Sequence, residues 1–69
     1  MAAASVDGKQ VKVGDVVGFK CDIEQYGKIV EIKSGRRPVL VLENEDGFDG
    51  EYIGGETKTE MDADDCWLD

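Results

Sequence analysis

The apolar runs in this chain are short, mostly rich in β-branched residues and broken by glycine, proline or charge, which leaves little room for anything but a sheet of brief strands. Val, Ile and Leu number eight, four and three, and with two Phe they make 17 of the 69 residues. β-Branched side chains suit a pleated, half-buried surface. Val11 and Val13 alternate with polar neighbours, and Val17, Phe19 and Cys21 resume the two-residue period after Gly14-Asp15 permits a tight turn. Gly18 inside that strand predicts a bulge or sharp coil. Nowhere does the apolar spacing sustain three turns of helix, and there is no internal repeat.

The rest of the chain continues in the same manner. Asp22 to Gly27 is mostly polar and reads as a loop, Lys28 to Lys33 as the second strand, and Ser34 to Pro38 as a loop carrying the adjacent pair Arg36-Arg37. Val39 to Glu45 is the strongest strand signal, with four consecutive apolar residues. Asp46-Gly47 and Asp49-Gly50 compete for the following hairpin turn. A fourth strand starts at Glu51-Tyr52-Ile53, is interrupted by Gly54-Gly55 and resumes through Thr59; Met61 to Asp65 suits one helical turn with Asp62 as cap. Cys66-Trp67-Leu68 closes the series as a short last strand.

The fold class expected is therefore all-β: a small five-stranded barrel with one short helical turn before the last strand. Residues 1–9 are expected to form a flexible N-terminal tail and 10–69 the single domain. At this size the core is thin, since a chain near 60 residues buries only about 60% of the surface its unfolded form exposes. The run Val11-Lys12-Val13-Gly14-Asp15-Val16-Val17-Gly18-Phe19, the segment Tyr26-Gly27-Lys28-Ile29-Val30-Glu31-Ile32, and Val39 to Gly47 together resemble the SH3-like small barrels of the KOW and Tudor type. That resemblance covers roughly residues 10–68 and implies a fold that hosts RNA binding, protein docking and recognition of methylated side chains alike.

Charge narrows the function classes. Eight Lys and Arg against sixteen Asp and Glu, with no His, give a net charge of −8. An acidic chain is ill suited to gripping a phosphate backbone, and a chain without His lacks the side chain most used for proton transfer near neutral pH and for metal ligation. No catalytic constellation, cofactor site or metal site is expected: neither serine nor cysteine has a His to activate it, and two Cys separated by 44 residues with no His cannot make a zinc site. Setting Gly50 at the sixth position of an EF-hand loop puts Gly47 at the third, where no ligand is supplied, so that motif is rejected. The start lacks a basic region followed by an apolar run, and no stretch approaches the length of a membrane span, so a cytoplasmic protein with two free thiols is expected.

The negative charge is not spread evenly. Residues 1–42 carry seven basic and five acidic side chains, whereas residues 43–69 carry Lys58 alone against eleven acids. Such a run either keeps a small protein soluble or steers a cationic partner. Glu43, Glu45, Asp46, Asp49 and Glu51 are the acidic residues of the candidate partner-binding surface, with Asp62, Asp64 and Asp65 as a second patch. Tyr26, Phe48 and Tyr52 are expected at the surface beside the first group, where aromatic faces and carboxylates together attract a cation. The function expected is a non-enzymatic interaction module that docks a basic protein or peptide. The alternative is an acidic inhibitor that mimics nucleic-acid charge in the groove of a DNA- or RNA-binding protein, of the kind carried by phages and mobile elements. Direct RNA binding through Lys12, Lys28, Lys33, Arg36 and Arg37 is the weaker third reading, and an open edge near Trp67-Leu68 admits a homodimer.

Overall fold

A computed structural model describes residues 4–50 and 53–68. Among these residues seven strands form two sheets. The chain opens with a hairpin of β1 (Ala4–Val6) and β2 (Lys9–Val11), joined by Asp7 and Gly8 at φ 52° and 76°. Positive φ at both central residues is the geometry of a type I′ turn, which Asp-Gly accommodates. The expected tail is thus a strand pair from Ala4 onward, with Ala4, Val6 and Val11 buried in the core. The Asp7-Gly8 signal between Val6 and Lys9 was as strong as either later Asp-Gly pair, but three-residue strands are too short to show alternation.

The main sheet comprises β3 (Val16–Cys21), β4 (Ile23–Lys33), β5 (Val39–Glu43), β6 (Lys58–Asp62) and β7 (Cys66–Trp67), in the order β6-β5-β4-β3-β7 and antiparallel throughout. A single 3-10 turn, Ala63–Asp65, precedes β7, with Asp62 in the cap position but making no side-chain cap bond. The sheet is open rather than a closed barrel: β6 and β7 are its edges. β7 is only two residues long and pairs solely with Gly18 and Phe19, so no strand bridges the two edges. The N-terminal hairpin packs against the 3-10 turn, and the Asp7 carboxylate accepts a 2.7 Å hydrogen bond from the Leu68 N–H, tying the two ends of the chain together.

Two strands differ from the sequence expectation for stated reasons. β4 begins at Ile23, taking in what reads as a loop, because Glu24, Gln25 and Tyr26 pair in register with Lys20, Phe19 and Gly18. Polar Gln25 occupies an inward position, which breaks the alternation that would reveal the strand. The bulge falls between Ile29 and Glu31 of β4 rather than at Gly18, and it restores Ile32 to the buried side after Ile29. β6 lies at Lys58–Asp62, in a polar stretch whose half-buried members are Thr59, Met61 and Asp62. Of the strand expected at 51–53, Glu51 and Tyr52 lie outside the described residues and Ile53 sits in a turn.

The core is built from the inward faces of β3 (Val17, Phe19), β4 (Ile29, Ile32) and β5 (Leu40, Leu42), completed by Phe48 from the connection that follows β5. Phe48 is fully buried, which corrects its expected surface position. Its ring meets Phe19 at 5.3 Å between centroids and 70° between planes, an edge-to-face contact. Room for it exists because residue 27 is glycine: a Cβ there would lie 2.9 Å from Leu42 Cβ and 3.1 Å from Phe48 Cζ. Among the described residues no helix is long and apolar enough to cross a membrane.

Removing Phe48 leaves a ring-sized void at the centre of a thin core. Phe48→Ala is expected to cost about 3–5 kcal/mol, a large share of the stability of so small a domain. Gly27→Ala should destabilise by displacing the same ring. Urea unfolding of both variants checks this, and an unchanged midpoint for either would contradict the packing described.

Candidate functional site

The connection between β5 and β6 is described over residues 44–50 and 53–57, and these two stretches pair with each other. Neither Asp-Gly pair is the tip of a two-residue hairpin. Asn44 N donates to Thr57 O at 2.9 Å, Phe48 N to Glu56 O at 2.8 Å, and Gly55 N to Phe48 O at 2.9 Å, so the two limbs stay paired beyond the strands. Asn44 organises a turn at its base: its carbonyl accepts from Gly47 N and its Oδ1 from Asp46 N, each at 2.9 Å. Gly47 takes φ 83°, a conformation glycine adopts without steric penalty.

A buried amide fixes the far limb. Gln25 Oε1 accepts from Asp49 N at 2.8 Å, while Gln25 Nε2 donates to Asp49 O at 2.6 Å and to Cys21 O at 3.2 Å. The side chain thus pairs with Asp49 as another strand would. Gly50 beside it, at φ 111°, comes so close that a Cβ would stand 2.8 Å from Cys21 O. Sequence reasoning missed Gln25, since nothing local distinguishes a clamp from an ordinary strand amide.

The turn built on Asn44 places Glu45 and Asp46 at the edge of a shallow groove. It is lined by Val16 of β3, Tyr26, Gly27 and Lys28 of β4, Glu43 of β5, and Asn44, Glu45 and Asp46 of the connection, and is a shallow depression of about 320 Å³ that is largely open to solvent. Val16 and Tyr26 face outward, 57% and 41% exposed. Asn44 Nδ2 donates to Tyr26 O at 3.4 Å, linking the two sides. Glu43 has Lys58 Nζ at 3.9 Å and stands opposite Lys28 in the ladder, so its charge is partly offset. Glu45 and Asp46 are exposed and, among the described residues, their carboxylates have no cationic partner.

Of the residues expected at the partner surface, the structure brings together Tyr26, Glu43, Glu45 and Asp46. Tyr26 is exposed from a strand, not from a loop. Phe48 is in the core, and Asp49 is exposed outside this groove with its backbone clamped to Gln25. Glu51 and Tyr52 lie outside the described residues. The second patch is elsewhere: Asp62 pairs in register with Val39 at the opposite end of β5, Asp64 and Asp65 follow in the 3-10 turn, and Asp64 lines a hollow with Ala4, Ser5, Gln10, Pro38 and Ala63. Among the described residues no three Cys, Asp or Glu side chains converge as a metal-binding group.

Sequence reasoning also missed the role of Gly18. It stands between Tyr26 on one neighbouring strand and Trp67 on the other, and the Trp67 indole lies directly over it; a Cβ at position 18 would fall 2.6 Å from Trp67 Cε2. The outer surface of β3, β4 and β7 therefore carries two aromatic residues, Trp67 and Tyr26, flanking a position with no side chain. Both cysteines are free thiols. Burial, helped by the charges of Asp65 and Asp62, pushes the Cys66 thiol up to about 11, and its Sγ lies 3.5 Å from Asp62 O. Compared with protein-family models, with curated proteins and with solved structures, this chain matches none.

Two outcomes follow from this packing. Gly18→Ala should lift the indole from the sheet, seen as a red shift and altered quenching of the single tryptophan; an unchanged spectrum would contradict the stacking. Cys66 should alkylate far more slowly than Cys21 near pH 8, because a rise from 9.0 to about 11 lowers its thiolate fraction roughly a hundredfold. Folding favours the protonated thiol, so the stability it contributes is complete below pH 9 and is lost as pH rises through about 11. Mass spectrometry of partially alkylated protein, with each site mapped, reads the order directly.

Proposed function

We propose that this protein is a non-enzymatic interaction domain that docks a basic segment of a partner protein along the Tyr26 groove. One observation carries the reading: an exposed tyrosine face and Val16 share a groove with Glu45 and Asp46, two carboxylates without a cation of their own. A guanidinium or ammonium over the ring is drawn to its negative face, and the nearby carboxylates add charge-assisted hydrogen bonds. Exposed charge of one sign also speeds encounter with a cationic partner. The second acidic patch, at the other end of β5, extends the negative field without sharing this groove.

The finer reading of the fold is an SH3-like barrel left open at one seam. It is supported by five antiparallel strands in which the first, β3, pairs with the last, β7, and by a 3-10 turn before that last strand. The inference to function rests on the groove and not on the fold, because barrels of this kind serve many roles.

The test is anisotropy of a labelled Arg/Lys-rich peptide titrated with the protein. Affinity should fall steeply from about 50 to 500 mM salt, as the screening length contracts from above 10 Å to a few Å. The double variant E45Q/D46N should weaken binding at least tenfold, and Tyr26→Ala several-fold. An affinity indifferent to salt and to both variants would overturn the reading. Displacement of a natural partner by excess nucleic acid would instead favour the charge-mimic alternative.

A further inference from the structure

We propose that the basic segment fitting this groove is carried by the protein itself: the Arg36-Arg37 tip of one copy docks into the Tyr26 groove of a second. This rests on the reading of the groove as a site for cationic side chains, and it names the occupant.

Lys33 Nζ pairs with Glu60 Oε1 at 3.0 Å, and Lys58 Nζ lies 3.9 Å from Glu43 Oε2. Arg36 and Arg37, exposed in the turn between β4 and β5, have no carboxylate within 4 Å among the described residues; the same holds of Lys9, Lys12, Lys20 and Lys28, which are scattered single charges on or beside the strands. Arg36 and Arg37 are the only adjacent basic pair in the chain. Arginine also suits the groove better than lysine, because its planar guanidinium stacks on an aromatic face and forks onto a carboxylate at once.

The hairpin's geometry then excludes docking within one molecule. Lys33 pairs with Val39 at the end bearing the arginines, and Lys28 pairs with Glu43 at the end bearing the groove. Four residue steps of β5 separate those rungs, about 13 Å of strand, and the turns extend outward from both ends. Tip and groove point away from each other on a rigid ladder. A second copy is thus required, and the contact is head-to-tail, leaving one free tip and one free groove on any open assembly. Asp62 and Asp64 lie at the tip end and oppose close approach of a second acidic surface, so the contact is confined to the arginines and is weak.

Because each copy carries −8, salt screens both the attraction and the general repulsion, and a salt series alone does not discriminate. Complementary variants do. R36S/R37S keeps the groove and loses the tip; E45Q/D46N keeps the tip and loses the groove. Sedimentation velocity over a rising concentration series should show the wild type growing beyond dimer and each variant alone remaining monomeric. An equimolar mixture of the two variants should form a dimer that does not extend. Thermal unfolding of each variant confirms that the fold is retained. A monomeric wild type, a monomeric mixture, or self-association retained by R36S/R37S alone would each overturn the proposal. Arg-rich peptide binding to a wild type that stays monomeric would overturn self-docking and leave the groove reading intact; failure of both would remove the groove reading as well.

Discussion

The contact on which the rest depends is the ring of Phe48 wedged over Gly27 and against Phe19. Three strands alone supply few large side chains: Val17, Ile29, Ile32, Leu40 and Leu42 leave the centre of a thin core underfilled. The aromatic ring that fills it comes from the connection after β5, reached across a glycine whose missing Cβ opens the way. An edge-to-face pair of buried aromatics adds about 0.5–1.5 kcal/mol beyond the area it removes from water. The connection thus completes the core, and its backbone at Phe48 also pairs with Gly55 and Glu56.

Gln25 completes that arrangement by hydrogen bonding. A buried amide without partners would cost free energy, whereas this one satisfies both its oxygen and its nitrogen on the backbone of Asp49 and Cys21. It converts a glycine-rich connection into an extension of the sheet. Across the outer surface a different rule holds. Lys28, Glu43 and Lys58 form one row across β4, β5 and β6, and toward the other end of the sheet Lys33 reaches diagonally to Glu60, so these opposite charges answer one another. Exposed pairs of this kind contribute little to stability, about 0–1 kcal/mol each. Their consequence is to leave Glu45 and Asp46 as the uncompensated charges beside Tyr26.

The sequence made the all-β class, the strands around Val17-Phe19, Ile29-Ile32 and Leu40-Leu42, and the helical turn before Cys66-Trp67 readable, because alternation and β-branching are local properties. It also placed Tyr26, Glu43, Glu45 and Asp46 in one candidate surface from their types and proximity in the chain. It misjudged Phe48, whose polar and glycine neighbours suggest exposure, and β6, whose polar residues hide a strand that is half solvated. It missed the Asp7-Gly8 hairpin, the Gln25 clamp and the seat of Trp67 on Gly18. The hairpin carried a local turn signal between strands too short to show alternation, whereas the clamp and the tryptophan seat depend on residues brought together from distant positions, which no local pattern records.

Composition and periodicity by themselves determined that this protein is a small β domain without a His-based site, and that its excess of negative charge lies in residues 43–69. Tertiary structure alone decided which of those charges are paired. Whether a carboxylate is free or answered depends on which strand lies beside it: Glu43 and Glu60 meet lysines across the sheet, while the turn anchored by Asn44 carries Glu45 and Asp46 past the reach of any described cation. Electrostatic energy falls with distance in space and not along the chain, so the count of charges was legible from the start and their pairing was not.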